Sequence, residues 1–169
     1  MRIPALIKLL LLTLALSGCA SQSLPGFNES RAIASRALAP TGTLRVAINF
    51  GNPILANKDA KTGAPFGVSV DLANELGKRL GVPVELVTFT SAGKVVEAVT
   101  ANEVAIAFVA IDPVRAATTA YSAPYVVIEG AYLVRENSPL RSNDEVDRAG
   151  TRIVVGAGSA YDLYLTREI

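Results

Sequence analysis

The stretch Ala107-Phe108-Val109-Ala110-Ile111-Asp112-Pro113-Val114-Arg115 decides the fold. An apolar run with no polar interruption reads as a strand of a parallel sheet covered on both faces. Asp followed by Pro reads as a helix start, with Asp112 capping orphan N–H groups and Pro113 at the first helical position. Arg115 then falls in the first helical turn, beyond the carboxyl end of a strand. In open α/β sheets that edge is where ligands bind. A guanidinium there suits two-point recognition of a carboxylate. The same residue is equally readable as a solvated surface charge.

Upstream of this stretch, strand and helix patterns alternate. Thr43–Ile48 is β-branched and alternating, and ends in the turn-rich Asn49-Phe50-Gly51-Asn52-Pro53. Phe50 reads either as a loop aromatic packed on the domain or as a ligand platform. Lys58–Gly63 reads as a hairpin tip. Val68, Leu72, Ala73, Leu76 and Leu80 recur at helical spacing, and Gly81 ends that helix. Residues 82–89 form a second strand, and Ser91 caps a helix that carries Val95, Val96 and Val99. Asn102 ends it, and residues 104–111 complete a third strand. This order predicts a parallel sheet with right-handed crossovers.

Downstream, residues 126–134 read as a long strand leaving the first lobe, and residues 151–155 as another. Ser142–Glu145 and Ser159–Asp162 carry capping patterns. The glycines at 156 and 158 lack the Gly-Lys-Ser/Thr of a phosphate loop, so the start of the following helix reads as a small-anion site instead.

Composition narrows the chemistry. The 169 residues contain no His or Trp and one Cys, with a formal net charge of +1. A His/Cys metal site and a His-activated nucleophile are thereby excluded, and no cofactor is expected. No basic stripe interleaved with aromatics is present, so no nucleic-acid partner is expected.

The chain opens with Arg2 and Lys8 before an apolar run too short to span a bilayer. The run ends in Leu16-Ser17-Gly18-Cys19, which resembles a bacterial lipobox. That resemblance implies a signal peptide over residues 1–19 and a mature chain lipidated at Cys19, anchored to a membrane without crossing it. Residues 20–41 read as a linker, whose alanine-rich piece, residues 32–39, is long enough only for a marginal helix.

From about Thr41 onward the chain resembles the bacterial extracellular solute-binding proteins of family 3, the polar amino-acid-binding components of ABC importers. Gly42–Val46, Gly67–Ala73, Lys78–Val82, Asp112–Arg115, Ser122–Tyr125 and Val155–Ser159 carry the resemblance, together and in order. It implies a periplasmic-binding-protein-like (type II) α/β fold: a parallel-sheet lobe with helices on both faces over residues 42–133, and the start of a second lobe over 134–169. It implies a small carboxylate-bearing ligand, an amino acid or a related compound, held in an interlobe cleft. The implied contacts are Arg115 as carboxylate clamp, the start of the helix at Ser159, Ala160 and Tyr161 as its counterpart, Asn49 and Phe50 as polar contact and platform, and Ala110 and Asp112 beside the clamp. It also implies a permease partner in the inner membrane and a place in the periplasm or cell envelope.

Three departures from the family pattern stand in the sequence. Phe108, Ala110 and Asp112 occupy positions where hydroxyl side chains are usual, Ala92 stands where an aromatic is usual, and the chain stops at Ile169 within the first helix of the second lobe. A truncated binding protein that holds ligand poorly is therefore one expectation. Another alternative is an enzyme similar to the periplasmic cyclohexadienyl dehydratases, with Asp112 as the only carboxylate placed near Arg115. The fold also serves as a sensory input module, but no second domain supports that use in this sequence.

Overall fold

The computed structural model describes residues 25–169, so the signal-peptide and lipobox expectations, Cys19 included, lie outside the described residues. In chain order the elements are α1 (Pro25–Leu38), β1 (Leu44–Asn49), β2 (Asn57–Lys58), β3 (Pro65–Phe66), α2 (Val68–Leu80), β4 (Val84–Phe89), α3 (Ala92–Thr100), β5 (Ile106–Ala107), α4 (Pro113–Ala116), a 3-10 turn (Asn143–Glu145) and α5 (Ala160–Glu168).

β1 is the centre of a three-stranded parallel sheet in the order β4-β1-β5. Its residues alternate between two cores, as the two-residue period of a strand requires. Leu44, Val46 and Ile48 pack with Val70, Ala73 and Leu80 of α2. Ala47 packs with Val95 and Ala98 of α3 and with Val104. Helices thus cover both faces of the central strand, and the expected α/β lobe is the one found. The register sets Asn49 opposite Phe89 and Ala47 opposite Ala107, so the three strands end on a common carboxyl edge.

The core face of α2 differs from the expected one. Val68 and Leu72 are exposed, whereas Ser69, Val70, Ala73, Gly77 and Leu80 are buried. The reason is close approach: a Cβ at Gly77 would collide with the Val84 side chain, so glycine lets the helix settle on β4. The alanine-rich piece, expected as a marginal helix, belongs to the 14-residue α1. That helix is stabilised by docking, because Ala34, Leu38 and Ala39 join the core cluster of α2 and β1. The hairpin at 58–63 forms as expected between β2 and β3, and Asp59 Oδ1 accepts from the N–H groups of Lys61 and Thr62.

Three expected strands are corrected. The strand expected over 104–111 pairs only at Ile106–Ala107, although Phe108 and Val109 still pack against opposite cores. Apolar runs report burial, and ladder pairing is a separate condition. Residues 126–134 and 151–155 form no strand, because among the described residues no neighbouring chain pairs with them. Val127 (86%), Leu133 (100%) and Val154 (94%) face solvent, whereas Ile153 and Val155 are half-buried.

Candidate functional site

The site is built on the turn that follows β5. Asp112 caps α4 with Oδ1 accepting the Val114 N–H at 2.9 Å, and Pro113 opens the helix. Both features follow the sequence reading. The cap orients Arg115, whose side chain turns inward and is only 4% exposed. The solvated-charge alternative for Arg115 is thereby overturned. Its Nη1 donates to the Ala110 carbonyl at 3.1 Å, and its Nη2 donates to the Gly158 carbonyl at 2.8 Å. The Tyr121 hydroxyl donates to the same Ala110 carbonyl at 3.3 Å. Ala110 therefore joins this cluster through its backbone carbonyl, which accepts from both Arg115 and Tyr121.

Asp112 is as buried as Arg115. Its Oδ2 lies 3.2 Å from Nη1 of Arg167, in the last turn of α5. Burial pushes the Asp112 carboxyl up, but the Val114 N–H and the Arg167 guanidinium outweigh it and hold it below the usual aspartate value. An ionised carboxylate with both oxygens engaged within the chain is a positioning group. It is poorly suited to donating a proton.

The segment before α5 meets this turn directly. Ser159 Oγ accepts from the Asp162 N–H at 3.1 Å, and Asp162 Oδ2 accepts from the Gly158 N–H at 2.8 Å. The Ser159 half of the pattern read at Ser159–Asp162 is realised, whereas Asp162 reaches one residue past the N-cap, to Gly158. Asp162 also places a carboxylate at the helix start, where it competes with any incoming anion. Gly158 has a φ of +68°, and a Cβ there would lie 3.0 Å from the Cα of Gly93 in α3. The Tyr161 ring rests on the backbone of Gly130, where an added Cβ would approach its Cε1 to 2.7 Å.

Asn49 and Phe50 stand at the carboxyl end of β1. Asn49 Oδ1 accepts from the Gly51 N–H at 2.9 Å, and the Phe50 N–H donates to the Phe89 carbonyl at 2.8 Å. Phe50 is half-buried against the core of β1 and α2, so part of its ring surface remains at the edge. The chain continues from Phe89 through Ser91, which caps α3, to Gly93, which touches the Gly158 segment. Arg115, Asp112, Ala110 and the Gly158–Ser159 turn are thus joined by direct contacts. Asn49 and Phe50 belong to the same sheet edge, without a direct bond to Arg115.

Arg167 and Tyr121 escaped the sequence reading. Arg167 pairs with a residue 55 positions away, a separation at which no local pattern signals contact. Tyr121 had a weak signal, because it follows the Arg115 turn closely enough to fold back on it. A cavity of about 280 Å³ lies elsewhere, between residues 151–155 and α5, lined by Ile153, Val155, Leu165 and Ile169 among others. Among the described residues no three His, Cys, Asp or Glu side chains group as a metal site, and no helix is long and apolar enough to cross a membrane.

Comparison with known proteins adds a family. Residues 44–154 match the model of the bacterial extracellular solute-binding proteins, family 3. The chain belongs to that family. This family 3 protein is similar to the solved structure of an ancestral cyclohexadienyl dehydratase, at 30% identity over 53% of this chain and 37% of that chain, with a TM-score of 0.47. It is similar to an ancestral amino acid-binding protein, a precursor of cyclohexadienyl dehydratase, at 32% identity over 53% and 39% of the two chains, with a TM-score of 0.47. It is also similar to a mutant of arginine-bound ArgBP from T. maritima, at 27% identity over 53% and 42%, with a TM-score of 0.48. The family 3 chain thus spans 37–42% of the length of these structures. No curated protein matches it. Membership supports a solute-binding role and a place outside the cytoplasm.

Proposed function

We propose that this family 3 protein binds a small carboxylate-bearing solute, an amino acid or a related compound, at the carboxyl edge of its parallel sheet. In this reading it serves as the substrate-binding component of an ABC importer, tethered to the membrane through lipidated Cys19. The observation that carries the reading is Arg115, a buried guanidinium fixed on a capped helical turn beyond β5. Such a group recognises a carboxylate in fork geometry. Asn49 and Phe50 would contribute from the end of β1, and Ser159, Ala160 and Tyr161 from the start of α5. On this reading residues 42–133 form the binding lobe, and residues 134–169 open a second lobe.

Asp112 argues for binding over dehydration. A general acid needs a proton at working pH, whereas the Val114 N–H and Arg167 keep this carboxyl ionised. Isothermal titration of the purified protein against a panel of L-amino acids and dicarboxylates tests the reading. Saturable binding lost in Arg115→Ala is the expected result. Binding that survives Arg115→Ala overturns the assignment of the clamp, and turnover of prephenate or arogenate overturns the choice of binding over catalysis.

A further inference from the structure

We propose that residues 156–168 form a self-bound cover over Arg115, in which the Gly158 carbonyl takes the acceptor position that a ligand carboxylate must occupy. The two guanidinium bonds have different origins. The bond to the Ala110 carbonyl comes from the turn that carries Arg115 and sets the direction of the side chain. The bond to the Gly158 carbonyl comes from 43 residues away and is a contact between segments. Only the second can be exchanged without unfolding the turn.

Three contacts hold the cover. Arg167 at the far end of α5 pairs with Asp112, three residues before Arg115. Gly158 packs closely on Gly93: a Cβ on Gly158 would lie 3.0 Å from the Gly93 Cα, one on Gly93 would lie 3.2 Å from the Ala157 carbonyl oxygen, and Gly158 adopts a backbone conformation that disfavours a side chain. Tyr161 rests on Gly130. The cover is therefore fastened at both ends of α5, and the Gly158 carbonyl is presented to Nη2 as a consequence. A carboxylate is a stronger acceptor for a guanidinium than a neutral carbonyl. Ligand binding thus displaces Gly158, and the apparent affinity falls with the fraction of molecules in which Arg115 is uncovered. The carboxylate ligand rests on the proposed function; the cover itself does not.

Modification by phenylglyoxal, which attacks arginine side chains, reads the cover without any ligand. The full chain is treated under native conditions and each arginine is followed by peptide mass spectrometry, with Arg79, whose side chain is 74% exposed, as internal reference. Arg115 is expected to react at least ~10-fold more slowly than Arg79. Arg167→Gln is expected to raise the Arg115 rate by about three- to fivefold, the scale of one partly exposed ion pair, with Arg79 unchanged. Gly158→Ala, which disturbs the contact with Gly93, is expected to act in the same direction. Wild-type Arg115 reacting as fast as Arg79 overturns the proposal, as does an unchanged Arg115 rate in both variants. Titration of the same variants with L-arginine and L-glutamate separates the two readings. If Arg115 is uncovered yet neither probe binds, the cover stands and the choice of these amino acids as ligands falls.

Discussion

Asp112 and Arg167 lie 3.2 Å apart between Oδ2 and Nη1, joining the turn that carries Arg115 to the last turn of α5. The pair is asymmetric, because the aspartate is buried and the arginine is partly exposed. Asp112 also caps α4, so one residue controls both the direction of Arg115 and the attachment of α5.

This double role makes stability depend on pH in a defined direction. Burial raises the Asp112 pKa, and the Val114 N–H and Arg167 lower it further than burial raises it. The unfolded carboxyl, with a pKa of about 3.9, therefore takes up its proton before the folded one as pH falls. The stabilisation is fully present above about pH 4 and is lost as pH drops through the depressed folded value. The difference in Tm between wild type and Asp112→Asn should be largest near neutrality and shrink in acid. A difference that stays constant down to pH 3 would refute this account.

Substitution at the cap separates its two functions. Asn remains a competent N-cap acceptor, whereas Ala leaves the Val114 N–H without one and costs about 1 kcal/mol. Urea denaturation should therefore rank Asp112→Ala below Asp112→Asn, and both below wild type. Equal midpoints for the two variants would remove the cap from the explanation.

Arg115→Lys should fail as a conservative change. An ammonium cannot bridge the Ala110 and Gly158 carbonyls in the fork that a guanidinium makes. For any carboxylate ligand found by titration, affinity should fall at least roughly tenfold, the scale of one charge-assisted hydrogen bond. Retained affinity would place the ligand elsewhere.

Gly77→Ala tests the contact between α2 and β4. Helix propensity alone favours alanine, but the new Cβ collides with Val84. Overpacking of this kind costs about 1–3 kcal/mol, so the variant should be less stable in urea. A gain in stability would show that the helix can shift to accept the methyl group.

The two cores and the exposed segments should respond very differently. Ile48, fully buried at the centre of the sheet, should lose about 2–5 kcal/mol on change to alanine. Val127, almost fully exposed, should lose less than about 0.5 kcal/mol on the same change. Similar losses at the two positions would mean that residues 126–134 are covered in solution.

Much of this protein was legible from residue order alone. The helix over 68–80, the Ser91 and Asp112 caps, the hairpin at 58–63 and the cap at Ser159 depend on groups within a few residues of one another. Local geometry decides such features, so local sequence reports them. The alternation through Leu44–Ile48 likewise carried the central strand, because its period matches burial on two faces. Tertiary structure alone decided which apolar runs became strands, since a ladder needs a partner strand, and that partner is distant in sequence. It alone turned Arg115 inward onto the Gly158 carbonyl, set Arg167 against Asp112, and chose Val70 and Gly77 over Val68 and Leu72 for the face of α2. Each of these depends on the meeting of surfaces distant in sequence, where periodicity and spacing carry no information.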